Sequence, residues 1–239
     1  MAAAFPHLDA VDALLRRAAG ALGEKAAGGA SASLGRDLFP DPFLTAGTLL
    51  WPWEHAATVL RAWAAWTREA PDDVTSAGRL LRFPALPVVP APLRGRALVA
   101  VEVAIPGEPW MAAGHLAPLT ALAPETSTVA IAAPESLPAL HTAVDVPAPA
   151  VGGHLALGGL PAEAVEAFVA TAGPGSGSNL LMASLRHLGA AYGMAAVGIP
   201  ATGGDVARIG IRLSLLEGRL APFAAGRRPP AARPAPRVS

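Results

Sequence analysis

Cysteine is absent from the 239 residues, so disulfides, thiolate nucleophiles and Cys-ligated zinc are excluded. Lysine occurs once, at Lys25, and nearly every cation is therefore arginine. Charged residues make up only 15% of the chain, and eighteen Lys+Arg balance eighteen Asp+Glu. With zero net charge there is no overall field to steer the chain toward nucleic acid or an anionic membrane. Aromatics are scarce at 5%, with a single tyrosine, Tyr192. Long hydrophobic runs are missing too. Charge-free stretches such as Pro109 to Pro124 and His187 to Gly204 contain Pro or several Gly, and both fall short of the roughly 20 apolar residues of a bilayer span. The N-terminus lacks a basic region ahead of its apolar positions, which Asp9 and Asp12 interrupt, so no secretory signal is expected. These absences predict a soluble, cytoplasmic chain with no membrane and no nucleic-acid partner.

What is present is 52% hydrophobic residues, with Ala at roughly a quarter of all positions, enough for one domain with a small-residue core. Helical spacing marks residues 8 to 22 (Leu8, Val11, Leu14, Leu15, Leu22) ahead of a Gly/Ala/Ser linker. Ala46 to Trp51, stopped by Pro52, suits an edge or terminal strand. Helical faces follow at 54 to 68, at 110 to 122, in a short piece at 134 to 141, from Pro161 to about residue 172 and at 205 to 222. Strands are expected at 74 to 83, 96 to 105, 126 to 132, 154 to 160 and 180 to 188. Several of these alternate apolar with small or polar residues: Val99, Val101, Val103 and Ile105 fall on one face, Ala100, Glu102 and Ala104 on the other. Alternation favours an α+β fold, an antiparallel sheet flanked by helices on one face, over a buried parallel sheet. Trp51, Trp53, Trp63 and Trp66 cluster around the 54 to 68 helix as core. The Arg/Pro/Ala tail from residue 227 has nothing to bury and is expected to be disordered.

Short motifs weigh little. Gly152-Gly153-His154 reads as a turn ahead of a strand, and Gly173 to Ser178 as a helix stop, because phosphate cradles run from strand into helix. The six histidines are scattered, without metal-ligand spacing, and no Gly-x-Ser-x-Gly elbow is present. The strand 180 to 188 is the strongest candidate. Period-two geometry puts Met182, Ser184 and Arg186 on one face and Leu181, Ala183, Leu185 and His187 on the other. Arg186 stays protonated, so it can bind an anion or stabilise developing negative charge but cannot act as a base. Tyr192 offers a hydroxyl for substrate.

The stretches AGTLLWPWEHAATVLRAWAAWTREAPDDVTSAGRLLRFP, PLRGRALVAVEVA, HLAPLTALAPETST, LPAEAVEAFVATAGPGSGSNLLMASLRHLGAA and LEGRLAPFAAGR stand in an order that resembles the substrate-binding domain of bacterial berberine-bridge-enzyme-like FAD-linked oxidases of the vanillyl-alcohol-oxidase superfamily. The resemblance implies an antiparallel sheet flanked by helices whose open face covers a flavin held by a separate domain. It implies hydride transfer from a small organic substrate to FAD in intact relatives, with Arg186-His187-Leu188-Gly189 over the flavin. The substrate-binding set carried by the motif and its surroundings is Ser184, Arg186, His187 and Tyr192; no catalytic, cofactor-binding or metal residue is assigned. The family's Arg-x-Gly-Gly-His and Gly-Gly-Gly-x-Phe-Gly flavin segments have no counterpart, and Arg227-Arg228-Pro229-Pro230 stands where Tyr-x-Asn is expected. The expected organisation is a divergent helix and linker over 1 to 45, a substrate-binding-like domain over 46 to 226 and the tail over 227 to 239. Such a truncated chain is expected to be inactive alone and to bind no FAD tightly, with a small molecule as substrate and a separate flavin-binding chain as partner. The competing reading is a non-catalytic binding module or a non-functional fragment.

Overall fold

The computed structural model describes residues 44–83, 85, 91–132, 151–173, 182–188, 191–198 and 203–225. The expected helices near 8 to 22 and 134 to 141, and the tail, lie outside these residues. In chain order the elements are β1 (Leu44–Pro52), α1 (Ala56–Trp66), β2 (Thr75–Arg82), β3 (Ala97–Pro106), α2 (Pro109–Thr120), β4 (Thr126–Ser127), β5 (Ala130–Ala132), β6 (Val151–Leu157), α3 (Ala162–Ala172), β7 (Met182–Leu188), β8 (Ala191–Gly198) and α4 (Gly203–Leu220). The strands form one sheet in the order β4-β1-β3-β2-β7-β8-β6, with β5 also against β1. Every pairing is antiparallel. The fold is therefore the α+β class that the alternation predicts.

Because side chains alternate across a strand, the register assigns each residue to a face. On one face lie Leu49, Trp51, Leu80, Val99, Val101, Val103, Ile105, Ala183, Leu185, Tyr192, Met194 and Ala196, and they join the apolar sides of all four helices in one core. We call this the helix face. Among the described residues no helix packs on the opposite, far face. The tryptophans anchor the helix layer: Trp51 and Trp63 are fully buried and Trp66 nearly so, with Trp53 packed at the margin. Pro109 opens α2 at a position where its missing N–H costs nothing, and Pro161 caps α3.

Three readings of the sequence are corrected. β1 is not an edge: it pairs with β3 on one side and with β4 and β5 on the other, and Pro52 is tolerated because it stands at the strand's end. Gly152-Gly153-His154 is not a turn but the start of β6. A Cβ on Gly153 would touch Leu213 of α4 at an ordinary 3.6 Å and displace only the flexible carboxylate end of Glu217. β8 was not anticipated. Its sequence, AYGMAAVG, consists mostly of small residues and carries no strong alternation, yet β7 on one side and β6 on the other supply ladders for its whole length.

Candidate functional site

The far face carries a charged cluster that crosses three adjacent strands. Arg79 on β2 stands opposite Ala100 on β3 and Ser184 on β7, Glu102 on β3 stands opposite Ala77, and Ala77 stands opposite Arg186 on β7. Glu102, Arg79, Ser184 and Arg186 thus share one surface, diagonal to one another. Arg79 Nη2 lies 2.6 Å from Glu102 Oε2, and both side chains are buried. The pair is close but poorly angled: Glu102 Oε2 and Arg79 Nε are left without a hydrogen-bond partner. Arg79 Nη1 instead points at Met182 Sδ, 3.8 Å away. Two guanidiniums share one carboxylate, so the cluster carries an excess of positive charge.

Burial sets the electrostatics of this cluster. It pushes the Glu102 carboxyl above the ordinary carboxylate range, against the opposing pull of the Arg79 and Arg186 charges. The Arg186 guanidinium is held below the usual arginine value by desolvation first and by the like charge of Arg79 second, with Glu102 opposing. Its surface nonetheless reaches water, and it stays charged at neutral pH. The far face is not uniformly open. Leu44, Ala46, Leu50, Leu81, Ala100, Ala104 and Ser184 are buried, whereas Arg186, Gly152, His154 and Ala156 are exposed.

The four residues expected to contact substrate divide between the two faces. Ser184 and Arg186 stand on the far face with the charged cluster. His187 and Tyr192, which are opposite each other on β7 and β8, point into the helix face. Tyr192 shares a 2.7 Å hydrogen bond with Thr67 Oγ1, and its ring stands edge-on to Trp63 at 6.0 Å. His187 sits 5.7 Å from the same ring, tilted by 45°. Arg79 and Glu102 escaped the sequence reading as site residues. The signal was there in part: Glu102 is the one acid inside β3, on the face away from its valines.

No family model and no curated protein matches the sequence. Solved structures do match in fold. The chain is similar to Physcomitrella patens BBE-like 1 (11% identity, TM-score 0.57, covering 78% of this chain and 45% of that one). It is similar to a chitooligosaccharide oxidase (12%, TM-score 0.58, 78% and 45%) and to berberine bridge enzyme from Eschscholzia californica (11%, TM-score 0.56, 77% and 42%). The chain thus spans less than half the length of these relatives in fold, and it has the architecture of one part of a berberine-bridge-enzyme-like oxidase.

Proposed function

We propose that this chain is the substrate-side domain of an FAD-dependent oxidoreductase, its far face turned toward a small organic substrate and a flavin held by another domain or chain. One observation carries the reading. An antiparallel sheet with every described helix on one face leaves Arg79, Glu102, Ser184 and Arg186 together on the other, in a fold similar to that of the oxidases.

The described residues do not suit the task of holding the flavin itself. α2 and α3 start at Pro109 and Pro161, and α4, although it opens on Gly203 and Gly204, carries Asp205 in its first turn, where a carboxylate repels a pyrophosphate. What these residues supply is a positive, partly buried surface: Arg186 attracts an anionic group at the water-exposed margin, while Arg79, neutralised by Glu102, holds the strand register beneath it. On this reading the chain by itself turns over no substrate, because the residues that position the cofactor's reactive atom are elsewhere.

The test is to add FAD to the purified chain and remove the excess by gel filtration. The expected result is a colourless protein peak; a yellow species retained near equal stoichiometry overturns the division of labour. Capture of FAD only when a flavin-binding chain is mixed in supports it.

A further inference from the structure

On the opposite side of the sheet from the charged cluster, a cleft of about 660 Å³ opens between the end of α1, the segment joining β6 to α3, and the one-turn helix at 221–223. Three polar side chains on its wall are each more than nine-tenths buried: Thr67, His187 and Tyr192. The two hydroxyls bond to each other at 2.7 Å; Thr67 Oγ1 also donates to Ala64 O at 3.1 Å, so with its one proton committed there Tyr192 is the donor of the pair. The imidazole is less settled. His187 Nδ1 is sequestered without a hydrogen-bond partner, an uncommon state for a buried polar nitrogen and one that marks spare capacity in the ring.

We propose that this cleft is a second binding site, for a neutral molecule that carries a hydroxyl on an apolar ring. Three features select that chemistry. The Tyr192 oxygen, its proton given to Thr67, keeps an accepting lone pair, and a hydroxyl ligand, itself both donor and acceptor, can donate to it and still fit either tautomer of His187. Leu160 and Phe223 add an apolar surface that favours a ring over a polyol. The charges beside the cleft, Arg68 and Asp72, are exposed and of opposite sign, so they select neither an anion nor a cation. Tyr192 is locked by Trp63 on one edge and His187 on the other, which makes the wall preorganised. The site shares no residue with the far-face cluster, so it stands or falls separately from the oxidoreductase reading.

Tyr192 is the only tyrosine in the chain, and that makes the test clean. Incorporating 3-fluorotyrosine into the full chain places a single fluorine resonance on the wall of the cleft. Titration with phenol is expected to move it saturably, while toluene, which offers the ring without the hydroxyl, binds about tenfold more weakly or not at all. Thr67→Val is expected to weaken phenol about fivefold. His187→Phe, which preserves the packing against Tyr192, should weaken it by at least as much with the near-ultraviolet circular dichroism unchanged; if that signal is lost, Thr67→Val and the toluene comparison decide. A shift that stays linear in phenol, equal binding of toluene, or phenol affinity indifferent to a folded variant overturns the proposal.

Discussion

On the helix face three indole N–H groups each reach an oxygen: Trp51 Nε1 to Leu122 O at 2.9 Å, Trp63 Nε1 to Ser76 Oγ at 3.1 Å and Trp66 Nε1 to His115 O at 2.7 Å. The far face of the same strands holds an arginine and a glutamate at ion-pair distance whose hydrogen bonds do not close. The contrast is instructive because the strands are shared. Where α1 to α4 supply the cover, apolar packing selects the side chains and the indoles find acceptors, leaving Thr45 Oγ1 and His187 Nδ1 as the unpartnered buried side-chain atoms among the described residues of that face. Where no described helix covers the sheet, charge is kept under partial burial, an arrangement that stability alone does not favour, since a well-packed apolar pair of similar volume is often as good or better.

The sharpest way to break this comparison is to remove half of the ion pair. Arg79→Met should leave Glu102 buried without its counter-charge and cost about 3–5 kcal/mol, read from urea or guanidinium unfolding of the purified chain. The double variant Arg79→Met/Glu102→Leu should recover most of that loss. If the single and double variants unfold alike, the far face is not under the electrostatic tension described here.

The helix face predicts a smaller and purely steric effect. At Gly78 on β2 a Cβ would come within 2.6 Å of Leu60 Cδ2 and 3.0 Å of Trp63 Cε3, both on α1 and both fully buried. Gly78→Ala should therefore cost about 1–3 kcal/mol through overpacking despite the better strand propensity of alanine. A neutral or stabilising outcome in the same unfolding assay would mean that α1 lies farther from the sheet.

Much of this two-faced design was legible in the sequence. Val99, Val101, Val103 and Ile105 alternate with Ala100, Glu102 and Ala104, and the structure buries the first set under α1 and leaves Glu102 on the far face. The helices were legible from their apolar periods: those expected at 54 to 68, from Pro161 and at 205 to 222 are found at 56–66, 162–172 and 203–220. What escaped was set by neighbours rather than by local pattern. β8 is a strand because β7 and β6 flank it, although its small residues carry almost no period of their own. The closeness of Arg79 to Glu102 depends on the β2–β3 register, which no local signal in the Pro-rich link between those strands specifies. Period two already separated Ser184 and Arg186 from His187; it took the β7–β8 pairing to bring Tyr192 beside His187.

Protonation offers a finer probe of the far face. Burial raises the Glu102 carboxyl above its ordinary value, so the folded chain holds this proton more tightly than the unfolded one. That contribution to stability is complete below the unfolded pKa and is lost as pH rises through the raised folded value. Replacing the titrating group by Glu102→Gln should flatten this downward limb in a plot of unfolding free energy against pH. A variant whose pH profile overlays that of the parent would remove Glu102 from the account.

The smallest effect, and the opposite sign, belongs to a surface pair. Arg96 donates from Nη1 and Nη2 to both carboxylate oxygens of Glu125, at 3.0 and 2.6 Å, with each side chain more than a third exposed. The hydrogen bond from Arg96 lowers the Glu125 carboxyl and outweighs the opposing desolvation, with the Arg96 charge assisting. Its stabilisation is therefore present above the unfolded pKa and lost as pH falls through the lowered folded value, the reverse of Glu102. Solvent screening keeps the pair below about 1 kcal/mol. Glu125→Gln should accordingly change the unfolding free energy only slightly at neutral pH, and less still at 1 M salt, where the screening length shrinks to about 3 Å. Arg79→Met, with its partner buried, should keep most of its cost in the same high-salt buffer. If salt erased both effects equally, the burial that distinguishes the far-face pair from an ordinary surface pair would have no energetic consequence.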